Sequence, residues 1–213
     1  MIKGYTFDLG NTLIDNRGFS FYGFFKELEK HLDIFLTPDI LYKLINKLLN
    51  RKNKEISFQK ILKALGVLKF FSYLEYDVCL NTSANVLFEN AKTFINNNLL
   101  KSGIKVFVLS NSLFSGDTLR KLLVSKGISD KIVVCSSADF NYRKPSKVIF
   151  QKFNKFVENG YNIKTQEMVY IGDNYINDCL GPKPFFFKTL QYSFSQSLEL
   201  LKGVIQDDIT EIR

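Results

Sequence analysis

Residues 6–15 read "TFDLGNTLID": a hydrophobic run closed by one carboxylate, Asp8, and followed at once by a Gly-Asn-Thr turn. A lone Asp in such a place also serves as a turn former or helix cap. What surrounds the stretch decides between that use and chemistry. "KGYTFD" at 3–8 is joined by four more β-branched or aromatic runs: "IKVFVLS" at 104–110, "KIVVCS" at 131–136, "MVYIG" at 168–172 and "KTLQYS" at 188–193. Their apolar residues run on with little polar alternation, as in parallel strands covered on both faces. Helical patterns separate the later strands, "SGDTLRKLLVSKG" and "KVIFQKFNKFVENG", the second with Asn159-Gly160 as its expected stop. Strand alternating with helix predicts right-handed crossovers and a doubly wound α/β sheet.

One connection breaks the rhythm. About ninety residues separate the first strand from the second, far more than a crossover helix needs. Helical spacing recurs in "FYGFFKELEKHLDIFL", "TPDILYKLINKLL" and "SFQKILKALGVL", with Thr37-Pro38-Asp39 and Ser57 as N-terminal starts. Residues 16–82 therefore read as an inserted all-helical domain, and 1–15 with 83–213 as the α/β core. The crossover helix itself falls in "TSANVLFENAKTFINNNLLKSG".

Bulk properties narrow the function classes. The chain has 213 residues, 46% of them hydrophobic, which suffices for a full core and argues against disorder. No apolar run approaches the roughly 20 residues that span a bilayer, and the N-terminus lacks the features of a secretory signal. Cys79, Cys135 and Cys179 are widely spaced, which fits reduced thiols in a cytoplasmic protein and no zinc site. The net charge of +8 favours anionic partners. Much of it lies between Lys26 and Lys69, including "RKNK" at 51–54, where cations alternate with apolar residues as on a solvated helix face. With no zinc-finger spacing or RNP motif beside it, this charge reads as steering for a small anion, with neither nucleic acid nor membrane as partner. His31, in "KELEKHLDIF", reads as a surface residue. Phe185-Phe186-Phe187 is a run for the core, the underside of the inserted domain or a contact between two copies. Monomer and homodimer both remain open.

Open α/β sheets bind ligands beyond the carboxyl ends of their strands. The first strand ends in Asp8, and the second in Ser110 followed by Asn111. The third leads into "SSADFNYRKPSKVIF" with Lys144, and the fourth into "GDNYINDCLG" with Asp173 and Asp178. Three acids, a hydroxyl and a lysine would meet at one edge. Such a set suits phosphoryl transfer: a carboxylate attacks phosphorus to form an aspartyl-phosphate that water hydrolyses. Clustered carboxylates and a backbone carbonyl are the hard ligands Mg²⁺ prefers, while a lysine and a hydroxyl hold phosphate oxygens.

"FDLGNTL", "VFVLSNS", "YRKPSKVIF" and "VYIGDNYINDCLG" resemble the four motifs of the haloacid dehalogenase (HAD) superfamily of hydrolases. The resemblance implies a Rossmann-like core, and the helical insertion looks like the family's C1 cap. It makes Asp8 the nucleophile and a metal ligand, Ser110 a phosphate binder and Lys144 the charge stabiliser. Asp173 and the Gly10 carbonyl become Mg²⁺ ligands. Asp178 becomes a supporting acid of the metal shell or of Lys144, and Asn11, Thr12 and Asn111 join the phosphate site. The implied activity is Mg²⁺-dependent hydrolysis of a small phosphorylated substrate. In one respect the chain departs from the pattern: family phosphatases usually carry a second Asp, the general acid and base, where Gly10 stands. Asp15 lies seven residues beyond Asp8 and reads as a turn or cap residue. Two alternatives accompany the phosphatase, a metal-free 2-haloacid dehalogenase and a catalytically impaired binding protein. Dehalogenases of the family typically carry an aromatic residue at the Gly10 position and lack the acid that Asp173 supplies.

Overall fold

The computed structural model describes residues 2–16, 19–67, 71–82, 86–197, 199 and 201. The chain opens with strand β1 (Gly4–Phe7) and a two-residue strand β2 (Ile14–Asp15). Four helices follow: α1 (Phe21–Leu32), α2 (Pro38–Leu49), α3 (Phe58–Ala64) and α4 (Phe71–Asn81). After β3 (Val86–Leu87), helix α5 (Glu89–Thr93) runs on as a π-helical stretch over Phe94–Leu100. The remainder alternates β4 (Lys105–Ser110), α6 (Gly116–Ser125), β5 (Val133–Ser136), α7 (Ser137–Phe140), α8 (Lys147–Tyr161), β6 (Met168–Gly172) and β7 (Lys188–Gln191). No described helix is long and apolar enough to cross a membrane.

All five expected strands form one parallel sheet, ordered β5-β4-β1-β6-β7, with β1 in the middle. Each face is apolar because each strand sends alternate residues to a different core. Val106, Val108, Val169 and Ile171 join one cluster. Phe107, Leu109, Met168 and Tyr170 join the other, under α8. Period-two alternation between two buried faces is why these strands read as unbroken hydrophobic runs. The Phe run divides in the same way. Phe185 stacks on Phe150 and Phe186 on Phe153, in the α8-side core, while Phe187 is exposed.

Helices α1 and α2 begin at a capping side chain, while Ser57 precedes α3 without a side-chain cap hydrogen bond. Ser20 and Thr37 side chains accept the Gly23 and Ile40 amides at the starts of α1 and α2. Elsewhere local signals were overridden. Helix α8 passes through Gly160 and stops at Tyr161, because Asn162 takes the left-handed cap at φ 54°. The expected crossover helix begins only at Glu89, since Val86 and Leu87 pair antiparallel with Asp15 and Ile14. Helix α4 was not anticipated: its apolar residues do not gather on one side. The "RKNK" run is not a solvated helix face throughout, since Arg51 lies in the loop after α2 with its side chain 9% exposed. His31 is on the surface of α1, 3.1 Å from Glu27. Cys79, Cys135 and Cys179 are buried and free of disulfides.

Candidate active site

The backbone N–H of Asp8 donates to the Ile171 carbonyl at 2.8 Å, continuing the pairing of β1 with β6. Beyond that point the chain turns, with Asn11 in the left-handed region at φ 58° and its N–H on the Ile14 carbonyl. Asp8 is thereby left at the carboxyl edge of the central strand. The neighbouring strands bring Ser110 and Asp173 to the same edge, Ser110 as the last residue of β4 and Asp173 as the first after β6.

Lys144 arrives from the loop before α8 and is 4% exposed. Its ammonium donates to Asp8 Oδ1 and Asp178 Oδ1, both at 2.6 Å, and to the Tyr170 hydroxyl at 2.9 Å. The Asn111 side chain fixes the lysine from behind. Its Oδ1 accepts the Lys144 N–H at 2.8 Å, and its Nδ2 donates to the Lys144 carbonyl at 3.1 Å. The Tyr170 hydroxyl in turn donates to the Leu109 carbonyl at 3.1 Å. The other Asp178 oxygen accepts the Asn174 N–H at 3.0 Å. Asp178 lies directly on the Gly172 backbone, where an added Cβ would come within 2.4 Å of its Cγ. Only glycine permits that approach.

Thr12 lies behind the acids. Its hydroxyl is 3.4 Å from Asp8 Oδ2 and 3.3 Å from Asp173 Oδ1, and it accepts the Asp173 N–H at 3.0 Å. This placement makes Thr12 a holder of carboxylates, and its side chain is not on the cavity wall. Asp8, Gly10, Asn11, Ser110, Asn111, Lys144, Asp173 and Asp178 do line one cavity of about 400 Å³. Ile14 and Asn16 contribute to that wall and Asp15 does not. Asp15 instead pairs with Val86 in the small ribbon.

Oxygens of Asp8, Asp173 and Asp178 all lie within 4.8 Å of one another. Lys144 compensates one of the three charges, so two negative charges stand uncompensated in a buried place. Burial, above all, raises Asp8 to about 6, and the Asp178 and Asp173 charges push the same way against Lys144. Burial and Asp178 likewise raise Asp173. Burial by itself would lower Lys144, but Asp8, Tyr170 and Asp178 outweigh it and hold the ammonium well above its ordinary range. A hard divalent cation fits this donor set in both charge and ligand type.

Residues 2–184 match the model of the haloacid dehalogenase-like hydrolase family. The chain belongs to that family. Among solved structures, Bacillus subtilis YfnB, which has magnesium bound, is 21% identical, with a TM-score of 0.52 over 86% of this chain and 85% of its own. A HAD phosphatase from Thermococcus onnurineus gives 16% identity and a TM-score of 0.58 over 88% and 85%. A 2-haloacid dehalogenase from Pseudomonas syringae pv. Tomato DC3000 gives 18% and 0.57 over 86% and 83%. At such identities the likeness speaks for the fold alone. No curated protein matches the chain.

In this HAD-like hydrolase several cavity or support residues escaped the sequence reading. Tyr170 sat unnoticed inside an apolar strand, although a phenol in "MVYIG" needs a buried partner. Arg51 and Arg143 line the cavity as well. Arg143, next to Lys144 in "YRKP", was legible in position; Arg51 carried no local signal.

Proposed function

We propose that this hydrolase is a Mg²⁺-dependent phosphatase acting on a small phosphorylated metabolite, with Asp8 as nucleophile. The observation that carries the reading is the cluster of Asp8, Asp173 and Asp178 around a single ammonium, with two negative charges to spare. A dehalogenase attacking carbon has no use for Asp173 beside its nucleophile. A disused site would not be expected to keep Lys144 gripped at 2.6 Å by two acids.

Asp8, Asp173, Asp178 and the Gly10 carbonyl would hold the ion, which when bound supplies charge neutralisation to phosphoryl oxygens. With its pKa near 6, Asp8 is largely ionised at pH 7 and ready to attack. Its carboxylate oxygen forms the new bond to phosphorus as the ester P–O bond breaks and the leaving group departs as its oxyanion, with no acid at Gly10 to protonate it. Lys144 stays protonated throughout and offsets negative charge on the transferring group. Ser110 donates to a phosphoryl oxygen, while Asn111 keeps the lysine in place. Water then attacks phosphorus and the P–O(Asp8) bond breaks; one of the water's protons stays on the released phosphate, the other passes through solvent to the departed oxyanion, and the carboxylate is restored. The helices of residues 16–82 form a cap over the core of 1–15 and 83–213 in this reading, and the cavity's size suits a small substrate.

The test is release of inorganic phosphate from p-nitrophenyl phosphate. Activity should require Mg²⁺, vanish with EDTA and be lost in Asp8→Asn. Full activity in EDTA, or a working Asp8→Asn enzyme, would overturn the assignment.

A further inference from the structure

The cavity has a second charged end. Arg51 belongs to the loop between α2 and α3, and that loop is stitched to the segment just before Lys144. The Glu55 N–H donates to the Asn141 carbonyl and the Arg143 N–H to the Asn53 carbonyl, at 3.2 and 2.9 Å. Arg51 is therefore held at a fixed place relative to the lysine. Its guanidinium carbon lies 5.5 Å from the Phe21 ring centroid.

Glu55, fully buried, is shared between two guanidiniums. Arg51 Nε is 2.8 Å from Oε1, but not aligned on it as a hydrogen bond, and Arg143 Nη1 is 3.4 Å from Oε2. The glutamate is otherwise spent: Oε2 accepts the Ser137 hydroxyl at 2.6 Å and Oε1 the Ile56 N–H at 2.9 Å. Two cations against one carboxylate leave a net positive charge at the cavity wall. The Arg51 side chain is 9% exposed, and its Nη1 has no hydrogen-bond partner among the described residues. Burial lowers Arg51 to about 10, which still leaves it charged at neutral pH.

A buried, incompletely paired guanidinium is costly unless an anion completes it. We propose that Arg51, with Arg143 beside it, binds a second anionic group on the substrate, so that the preferred esters carry a carboxylate or a further phosphate on the leaving group. Planar guanidinium matches the paired oxygens of either group. The inference rests on the phosphatase reading for its reacting end, but the anion site has its own readout.

The test uses a length-matched series: 3-phosphopropanoate, propane-1,3-diol bisphosphate, propyl phosphate and 3-aminopropyl phosphate. Binding to the Asp8→Asn protein with Mg²⁺ is measured by calorimetry, alongside phosphate release by wild type. At least one doubly anionic ester should bind about tenfold or more tightly than propyl phosphate, and the aminopropyl ester least tightly. Whichever of the two anionic esters gains more identifies the group. Adding Arg51→Met, which leaves Glu55 paired with Arg143 alone and the wall without net charge, should abolish the preference, and Arg51→Lys should keep part of it. Equal binding across the series overturns the proposal, even if the Met variant does not fold. So does a preference that survives in the folded Met variant. If p-nitrophenyl phosphate is not hydrolysed by wild type, the phosphatase reading fails, while the binding series still decides on Arg51.

Discussion

Gly10 stands where a phosphatase of this family usually carries its proton donor, and replacing it tests the chemistry of the leaving group. The three atoms nearest a Cβ built on Gly10 all belong to Asn16, with Nδ2 at 3.3, Cβ at 3.5 and Cγ at 3.7 Å. These are atoms of one side chain, so a shift of a few tenths of an ångström makes room for the Cβ of Gly10→Asp. The new carboxyl would join three acids that already repel one another, which raises its pKa and keeps it protonated as a general acid must be. A positioned acid contributes about 10²–10⁴ in rate, or ~3–5 kcal/mol, where the leaving alkoxide needs a proton. A p-nitrophenolate needs almost none. Wild type should therefore favour p-nitrophenyl phosphate strongly over propyl phosphate. Gly10→Asp should raise kcat for the propyl ester by about 10–100-fold, at or below the bottom of that range because the acid is not evolved in place, and move the aryl rate only a few-fold. Gly10→Asn, of the same shape but without the proton, is the control. Steady-state kinetics at saturating Mg²⁺ read the result. If wild type hydrolyses both esters equally, or Asn helps as much as Asp, the account of Gly10 is wrong.

Two further expectations concern the support of the acids. Gly172→Ala places a methyl 2.4 Å from Asp178 Cγ, so the carboxylate must move by about an ångström and loosen its hold on Lys144. We expect a loss of about 1–3 kcal/mol, read as a Tm lowered by ~2–10 °C, with kcat falling further than KM rises; an unchanged Tm and kcat would refute the contact. Mg²⁺ affinity should depend on pH, because the ion competes with a proton on Asp8. A raised pKa near 6 means the carboxylate gains its proton as pH falls through 6, so affinity is fullest at pH 7 and above. Between pH 7 and 5 the ionised fraction falls about tenfold, and calorimetric affinity should fall at least as much; a flat profile would show that Asp8 does not bind the metal.

The sheet, and the edge on which chemistry is sited, are legible in residue order alone. Five unbroken apolar runs had only one way to bury both faces, and a parallel sheet gathers its strand ends on one side. Asp8, Ser110 and Asp173 follow from that rule alone, because each directly ends or follows a strand. Relations between distant residues needed the tertiary structure. Val86 and Leu87 abandon a helical pattern because β2 offers them strand partners 71 or more positions away in the chain. Thr12 reads locally as a turn residue, yet its hydroxyl is claimed by Asp173, 161 residues on. Arg51 is the clearest case. Within a lysine-rich run it has the spacing of a solvated cation, and helical periodicity records only which residues share a face. It cannot record that Glu55, itself pinned against Ser137, draws the guanidinium inward. Burial and charge pairing are properties of neighbours in space, and those are set only when the insertion folds down beside Lys144.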